Sequence, residues 1–225
     1  MSMATDVRRD RSYSGTGGQA RTRLARTAVV QAARTLFLER GYAGTTIEAI
    51  SELSDVPPAT VYRLLSSKLG ILKALLDVSI AGDDNDVPLE ERPFVRALLA
   101  DPDPRNKLSG FAGITRGIMS RTEPVHRILV SAAGSDPDAA ALLAEQTRHR
   151  QQNQSRIARS LARAGALRPK LRERQAADII HALMSPEVYR LLVGDRGWTP
   201  GQYEQWLKGI LIDQLLPPPA TSTSA

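Results

Sequence analysis

The sequence predicts an all-α protein in two parts. Apolar residues recur at three- and four-residue spacing from residue 22 to residue 216, and no segment shows the apolar-polar alternation of a half-buried strand. Gly, Pro, Asp and Ser punctuate the periodic runs, as helix ends and turns require.

The first twenty residues, rich in Arg, Ser and Gly, are expected to form a disordered basic arm, with order beginning near Arg21. From Thr22 to Arg40, Leu24, Ala28, Val29, Ala32, Ala33, Leu36 and Phe37 make the stripe of an amphipathic helix, and Gly41 is its C-cap. Thr45 is expected to cap the next helix, with Glu48 three residues on as in a capping box. Ile47, Ile50 and Leu53 are its buried face. After Ser54-Asp55-Val56 come two prolines and a short helix through Leu65, then Ser66-Ser67 and a longer helix to Val78.

Residues 81–105, dense in Pro and Asp, are the expected boundary, with a helical turn at Phe94 to Leu99. This divides the chain into residues 21–80 and 81–216. Beyond it, Leu108 to Met119 marks one helix and Val125 to Ala132 a shorter one. Asp136-Pro137 opens a long helix to Gly165 whose middle, EQTRHRQQNQSR, is unusually polar: either a hydrogen-bonding pocket wall or a solvent face. A helix over residues 171–193 is expected to kink at Pro186, and Thr199-Pro200 starts the last, ending near residue 216. The tail, residues 217–225, is expected to be disordered.

The 225 residues, 42% hydrophobic and 24% charged, suffice for a sizeable core. A net charge of +6 favours a polyanionic partner. Only five of the 30 basic residues are Lys, and the rest are Arg, whose planar fork suits phosphate and guanine edges. With no Cys there are no disulfides or thiolate metal sites. No run approaches the roughly 18 apolar residues of a membrane span, and the expected location is the cytoplasm. Three His, no metal-ligand spacing and no glycine-rich phosphate loop argue against an enzyme, so no catalytic residue, metal or cofactor is assigned. Asp83-Asp84-Asn85-Asp86 lacks the Gly and closing Glu of a calcium loop and reads as solvated linker.

Chemistry concentrates in residues 46 to 65. Two short helices joined by three or four residues can cross steeply, so that the second enters a major groove while the first braces it on the backbone. A proline in a helix's first turn loses no internal hydrogen bond and presets φ. Pro57-Pro58 therefore marks a helix start, not a break.

The run FLERGYAGTTIEAISELSDVPPATVYRLLSSKLGIL, residues 37 to 72, resembles the DNA-binding region of TetR-family transcriptional regulators, with its GY-x-x-T-T, turn, T-V-Y-R and S-K in order. The resemblance implies an architecture of about nine helices: a three-helix DNA-binding domain followed by a helical ligand-binding and dimerisation domain. It assigns phosphate contacts to Thr45, Thr46, Tyr62 and Lys68. Pro57, Pro58, Ala59, Thr60 and Arg63 become recognition-helix positions, and Arg21, Arg23 and Arg26 would flank the duplex. Three positions depart from the family pattern: Asp55 stands in the turn where Gly is usual, Pro57 replaces a Ser cap, and Leu64-Leu65 replaces a more polar pair. Base readout then falls chiefly on Thr60 and Arg63, with the Ala59 methyl against thymine.

For the C-terminal part the resemblance implies a homodimer and a small-molecule effector. Ile180, Leu183, Leu191, Tyr203, Trp206, Leu207, Ile210 and Leu211 would form the dimer face. Phe111, Ile114, Ile118, Met119, Leu129, Met184 and Tyr189 would line the effector pocket as apolar residues, with Arg116, His126, His149 and Asn153 as its polar groups. The function implied is a DNA-binding repressor released from a palindromic operator by an effector; a sequence-indifferent DNA-organising protein is the alternative.

Overall fold

The computed structural model describes residues 15–82 and 91–218. All regular structure among them is helical: α1 Gly15–Arg40, α2 Ile47–Ser54, α3 Pro58–Leu65, α4 Lys68–Ala81, α5 Pro93–Ala100, α6 Pro104–Ala133, α7 Pro137–Arg163, α8 Glu173–Leu183, α9 Pro186–Tyr189, a π-helical segment Arg190–Asp195, and α10 Pro200–Leu215. Two compact units divide at Ala74/Leu75, inside α4 and before the expected boundary at residue 80. The acidic run Asp83 to Asp86, most of the expected N-terminal arm and most of the C-terminal tail lie outside the described residues.

In the N-terminal unit α1, α2 and α3 pack on one another. Val29, Ala33, Phe37, Ile50, Val61, Ile71 and Leu72 are all but excluded from solvent, which ties the three helices and the start of α4 into one core. Two expectations change here. Helix α1 begins at Gly15, so residues 15–20 are helical instead of part of an arm. Leu24 and Leu53 are exposed, lying one step off the buried stripe.

The connections are set by individual residues. Thr46, not Thr45, caps α2, its hydroxyl accepting from Ala49 N at 3.1 Å in place of the expected Thr45–Glu48 box. Asp55 ends α2 at φ 54°, ψ 32°, a left-handed conformation that a short polar residue tolerates. Pro57 precedes α3 with no side-chain cap, and Pro58 occupies the first helical position. Ser66 turns the chain at φ 61°, and Ser67 Oγ accepts from Gly70 N at 3.0 Å to start α4. A Cβ at Gly70 would collide with the Leu65 carbonyl oxygen, which is backbone and cannot swing aside. Helix propensity favours Ala over Gly by about 1 kcal/mol. Gly70→Ala is nevertheless expected to lower stability, by about 1–3 kcal/mol; a raised thermal midpoint would show that the α3–α4 turn is looser than described.

The C-terminal unit is built on α6, α7, α8 and α10, with Leu108, Ala112, Leu161, Ile180, Tyr203, Leu207 and Leu211 at its centre. The two helices expected between Leu108 and Ala132 are one 30-residue helix, α6, with Pro124 inside it. Proline costs about 3 kcal/mol in a helix interior. The buried positions Phe111, Thr115, Met119, Thr122, Val125, Leu129 and Ala132 nevertheless keep helical spacing across it, so a continuous buried face offsets the lost bond. The helix expected over 171–193 divides at Met184–Ser185, where the Ser185 hydroxyl accepts from Val188 N and starts α9. Thr199 and Gln202 form a reciprocal capping box at the head of α10.

Candidate nucleic-acid interface and ligand cavity

Helix α3 has one face in the core and one in solvent. Val61 and Leu65, four residues apart, are buried, while Pro57, Pro58, Ala59, Tyr62 and Arg63 are exposed and Thr60 is half-buried. Leu65, a departure from the family pattern, is thus used as a core anchor. Tyr62 is 48% exposed, a large ring held at the surface by no packing stripe. Thr46 is exposed at the head of α2, where unpaired backbone N–H groups and the helix dipole favour a phosphate.

Two residues do something other than what was expected of them. Thr45 is 0% exposed and donates its hydroxyl to the carbonyls of Leu36 at 3.2 Å and Gly41 at 2.8 Å; it clamps the end of α1 and offers no surface to a phosphate. Lys68 Nζ donates to the carbonyls of Tyr42 at 2.8 Å and Thr45 at 3.0 Å and sits 4.3 Å from the Tyr42 ring centroid. Two of the ammonium's three donors therefore fix the α1–α2 turn that presents Thr46. Arg21, Arg23 and Arg26 are exposed on the first turns of α1.

The dimer face needs the larger correction. Ile180, Tyr203, Leu207 and Leu211 are wholly buried within a single chain and cannot meet a second one. Tyr203 packs edge-on against Tyr189 at 4.8 Å, its ring inside the bundle. The apolar stripe of α10 is wider than one contact, and its inner half covers α6 and α8. The outward residues are Leu183, Trp206 and Ile210, partly exposed, and Leu191, 50% exposed.

Within the C-terminal unit lies a cavity of about 230 Å³. Of the expected pocket residues, Phe111, Ile114, Ile118, Met119, His126, His149, Asn153 and Met184 line it. The other three do not. Arg116 turns away to Glu204 at 2.9 Å, Leu129 is plain core, and Tyr189 bonds Ser120 at 2.9 Å beside Tyr203. Unforeseen wall residues include Leu76 and Ile80 of α4, Thr115 and Thr122 of α6, and Gln146, Arg150, Gln154 and Arg156 of α7. The polar run of α7 is thus a cavity wall. Its spacing carried the signal, since Gln146, Arg150, Asn153 and Ile157 recur every three or four residues on one face.

Missed altogether was His181, whose Nδ1 donates to Gln154 Oε1 at 2.8 Å while the Gln154 amide donates to the Met184 carbonyl at 3.4 Å. Beside it, Glu187 stands 3.5 Å from His126 Nε2 and 3.8 Å from Arg150 Nη1. Burial lowers the pKa of His126 and of His181, with the Arg150 charge adding to it. For Glu187 burial acts upward, but backbone hydrogen bonding and the neighbouring Arg150 and His126 prevail and its pKa falls. Burial also raises the pKa of Glu123, against the opposing pull of Arg127 at 3.0 Å.

A histidine whose folded pKa lies below its unfolded value adds stability above the unfolded pKa, near 6.5, and loses it as pH falls through the folded pKa. Glu123 has the opposite sign, gaining stability as pH falls. The variants His126→Gln and His181→Gln should therefore each flatten the decline in thermal midpoint between pH 7 and pH 5; curves parallel to the parent's would place both rings in water.

Taken together, a helix-turn-helix over α2 and α3 and a helical unit with an internal cavity define a DNA-binding regulator with a ligand-sized chamber. Residues 29–75 match the family model of bacterial regulatory proteins, tetR family. The chain is 28% identical over 172 residues to the HTH-type transcriptional regulator TcmR of Streptomyces glaucescens, covering 72% of this chain and 70% of that protein. Its fold matches that of NalD, the secondary repressor of the MexAB-OprM multidrug efflux pump in Pseudomonas aeruginosa, at a TM-score of 0.66 and 22% identity over 87% of this chain and 98% of NalD. It likewise matches a transcriptional regulator from Saccharomonospora viridis solved in complex with choline, at 0.65 and 20% over 86% and 98%. Residues 29–75 thus carry a tetR-family DNA-binding region, and the chain as a whole has the fold of TetR-family regulators. Among the described residues no helix is long and apolar enough to cross a membrane.

Proposed function

We propose that the protein is a homodimeric repressor that binds a palindromic operator through α3 and leaves it when a small molecule fills the cavity in the C-terminal unit. The observation that carries this reading is the two-sidedness of α3: Val61 and Leu65 anchor it while Tyr62 and Arg63 stand exposed on its other side and Thr60 is half-buried beside them. In this reading Arg63 and Thr60 meet base edges, Ala59 meets a thymine methyl, and Pro57, Pro58, Tyr62 and Thr46 follow the backbone. Lys68 acts indirectly, by holding the turn in front of Thr46. Two prolines donate nothing, so discrimination rests on few base contacts and on DNA shape.

A second copy would join through Leu183, Leu191, Trp206 and Ile210, giving two recognition helices for half-sites about 34 Å apart. Helix α4 supports a route from cavity to DNA. Its C-terminal residues Leu76 and Ile80 line the cavity, and Arg121 of α6 donates to the Ser79 carbonyl at 3.0 Å and the Ile80 carbonyl at 3.4 Å. A ligand that favours another position of α6 would shift the population of α4 states and, with it, the spacing of the two recognition helices.

Selection of duplexes from a random pool by the full chain is the test. The expected product is an inverted repeat with half-sites about one helical turn, or multiples of it, apart. A pool that remains random after repeated rounds would rule the reading out.

A further inference from the structure

The charge in the cavity wall narrows the chemistry of its ligand. Among the described residues that line it there is no Asp and no Glu, while Arg150, Arg156, His126 and His149 are all present. The rest of the wall is aliphatic and methionine side chains with neutral Thr, Asn and Gln. A quaternary ammonium, such as the choline held by the Saccharomonospora protein, calls for a carboxylate or a cage of aromatic rings. This wall has neither, and Phe111 is its single aromatic ring apart from the two imidazoles.

Two nitrogens of the wall residues are underused. Arg150 Nη1 and His126 Nε2 are sealed from water and lack a formed hydrogen bond. Their neighbour is Glu187, whose oxygens stand 3.5 Å from His126 and 3.8 Å from Arg150, beyond the usual N–H···O range. The Glu187 side chain is 63% exposed, so much of its charge faces water. It is not part of the wall, whereas the residues Arg150 and His126 are, with Nη1 and Nε2 lying just behind its surface. The pair already straddles one carboxylate, one donor to each oxygen, and leaves it imperfectly bonded. A buried donor in that state costs free energy that a better acceptor would recover.

We propose that the cavity takes an organic monoanion, an apolar body bearing one carboxylate, and that Arg150 and His126 bind that carboxylate in competition with Glu187. The apolar body lies along Phe111, Ile118 and Met119 of α6. At about 230 Å³ the chamber is smaller than the roughly 300–1,000 Å³ of sites for drug-sized ligands, which favours a compact body. This rests on the effector role proposed for the cavity, but it can be tested without DNA.

The probes are hexanoate, octanoate, decanoate and 4-phenylbutyrate, each beside its alcohol and its alkyltrimethylammonium counterpart, titrated calorimetrically into the full chain at pH 7. At least one carboxylate should bind at least about tenfold tighter than both counterparts. Arg150→Met should lose about tenfold for that carboxylate and nothing for the alcohol, with Arg150→Lys in between. Glu187→Gln, an exposed and isosteric change, should tighten the carboxylate several-fold, an effect that a merely structural Arg150 would not produce. Should Arg150→Met fail to fold, Glu187→Gln decides. The proposal is overturned if no carboxylate binds, if an alcohol or ammonium binds as well, or if Glu187→Gln leaves or weakens the carboxylate affinity. Operator binding by the ligand-free chain, measured in parallel, separates this failure from failure of the regulator reading: a chain that binds its operator yet takes no carboxylate loses only the ligand assignment.

Discussion

Tyr62→Ala combined with Arg63→Ala is expected to abolish specific operator binding while leaving the fold intact. Both side chains are exposed on α3, and the core contacts of that helix come from Val61 and Leu65. Surface substitutions of this kind change stability within about 0.5 kcal/mol. A good bidentate base contact discriminates by about 1–3 kcal/mol, and a lost phosphate contact also weakens binding. In a dimer each loss is counted twice, so the affinity for the operator should fall by at least about a hundredfold. The two single variants should differ in kind. Arg63→Ala should relax sequence preference, whereas Tyr62→Ala should weaken all duplexes alike. Gel-shift titrations at one fixed salt concentration measure both effects. Operator affinity unchanged in the double variant would remove α3 from the interface.

The second large effect divides α10 into two faces. Leu207 is wholly buried, and Leu207→Ala should cost about 2–5 kcal/mol, as a truncation in a close-packed core does. Ile210, three residues on and partly exposed, carries no such load. Ile210→Asp, alone or with Trp206→Asp, should leave the chain folded but convert a dimer into monomers, read by sedimentation or light scattering. Reversal of these outcomes, dissociation with Leu207→Ala and unfolding with Ile210→Asp, would invert the face assignment.

Much of the N-terminal unit was legible in the sequence because its signals are local. Pro58 at a first helical position needs only its own ring and missing N–H, and Asp55 in the turn needs only the tolerance of a short polar side chain for positive φ. Even so, the cap expected of Thr45 fell to Thr46. Two adjacent threonines offer equivalent caps, and only the packing of Thr45 under α1 decides which hydroxyl is left for α2.

In the C-terminal unit the helical segments were readable, but not all of their breaks, and their faces were not. Periodicity places Tyr203, Trp206, Leu207 and Ile210 on one broad apolar side. Which of them meets α6 and which meets solvent is a property of the bundle. For the same reason Leu129 and Tyr189 passed for cavity wall when they are core, and the two helices expected between Leu108 and Ala132 are one, since burial on both sides carries α6 through Pro124. The cavity's polar side was the exception. A run as polar as residues 145–156 inside a long helix is hard to reconcile with plain core, and it proved to supply Arg150, Asn153 and Gln154 to the wall. His181 and Glu187 reach that region from a separate stretch of chain, which no local pattern connects to it.

The central claim, that α3 reads a particular DNA sequence, is tested most directly by the ratio of affinities for the selected operator and for a scrambled duplex of equal length at the same salt concentration. Specific regulators exceed their own non-specific binding by about 10³–10⁷. A ratio of at least about 10³ is expected here, with a steep salt dependence on both duplexes. A ratio near one would contradict the claim and identify the protein as a DNA binder indifferent to sequence.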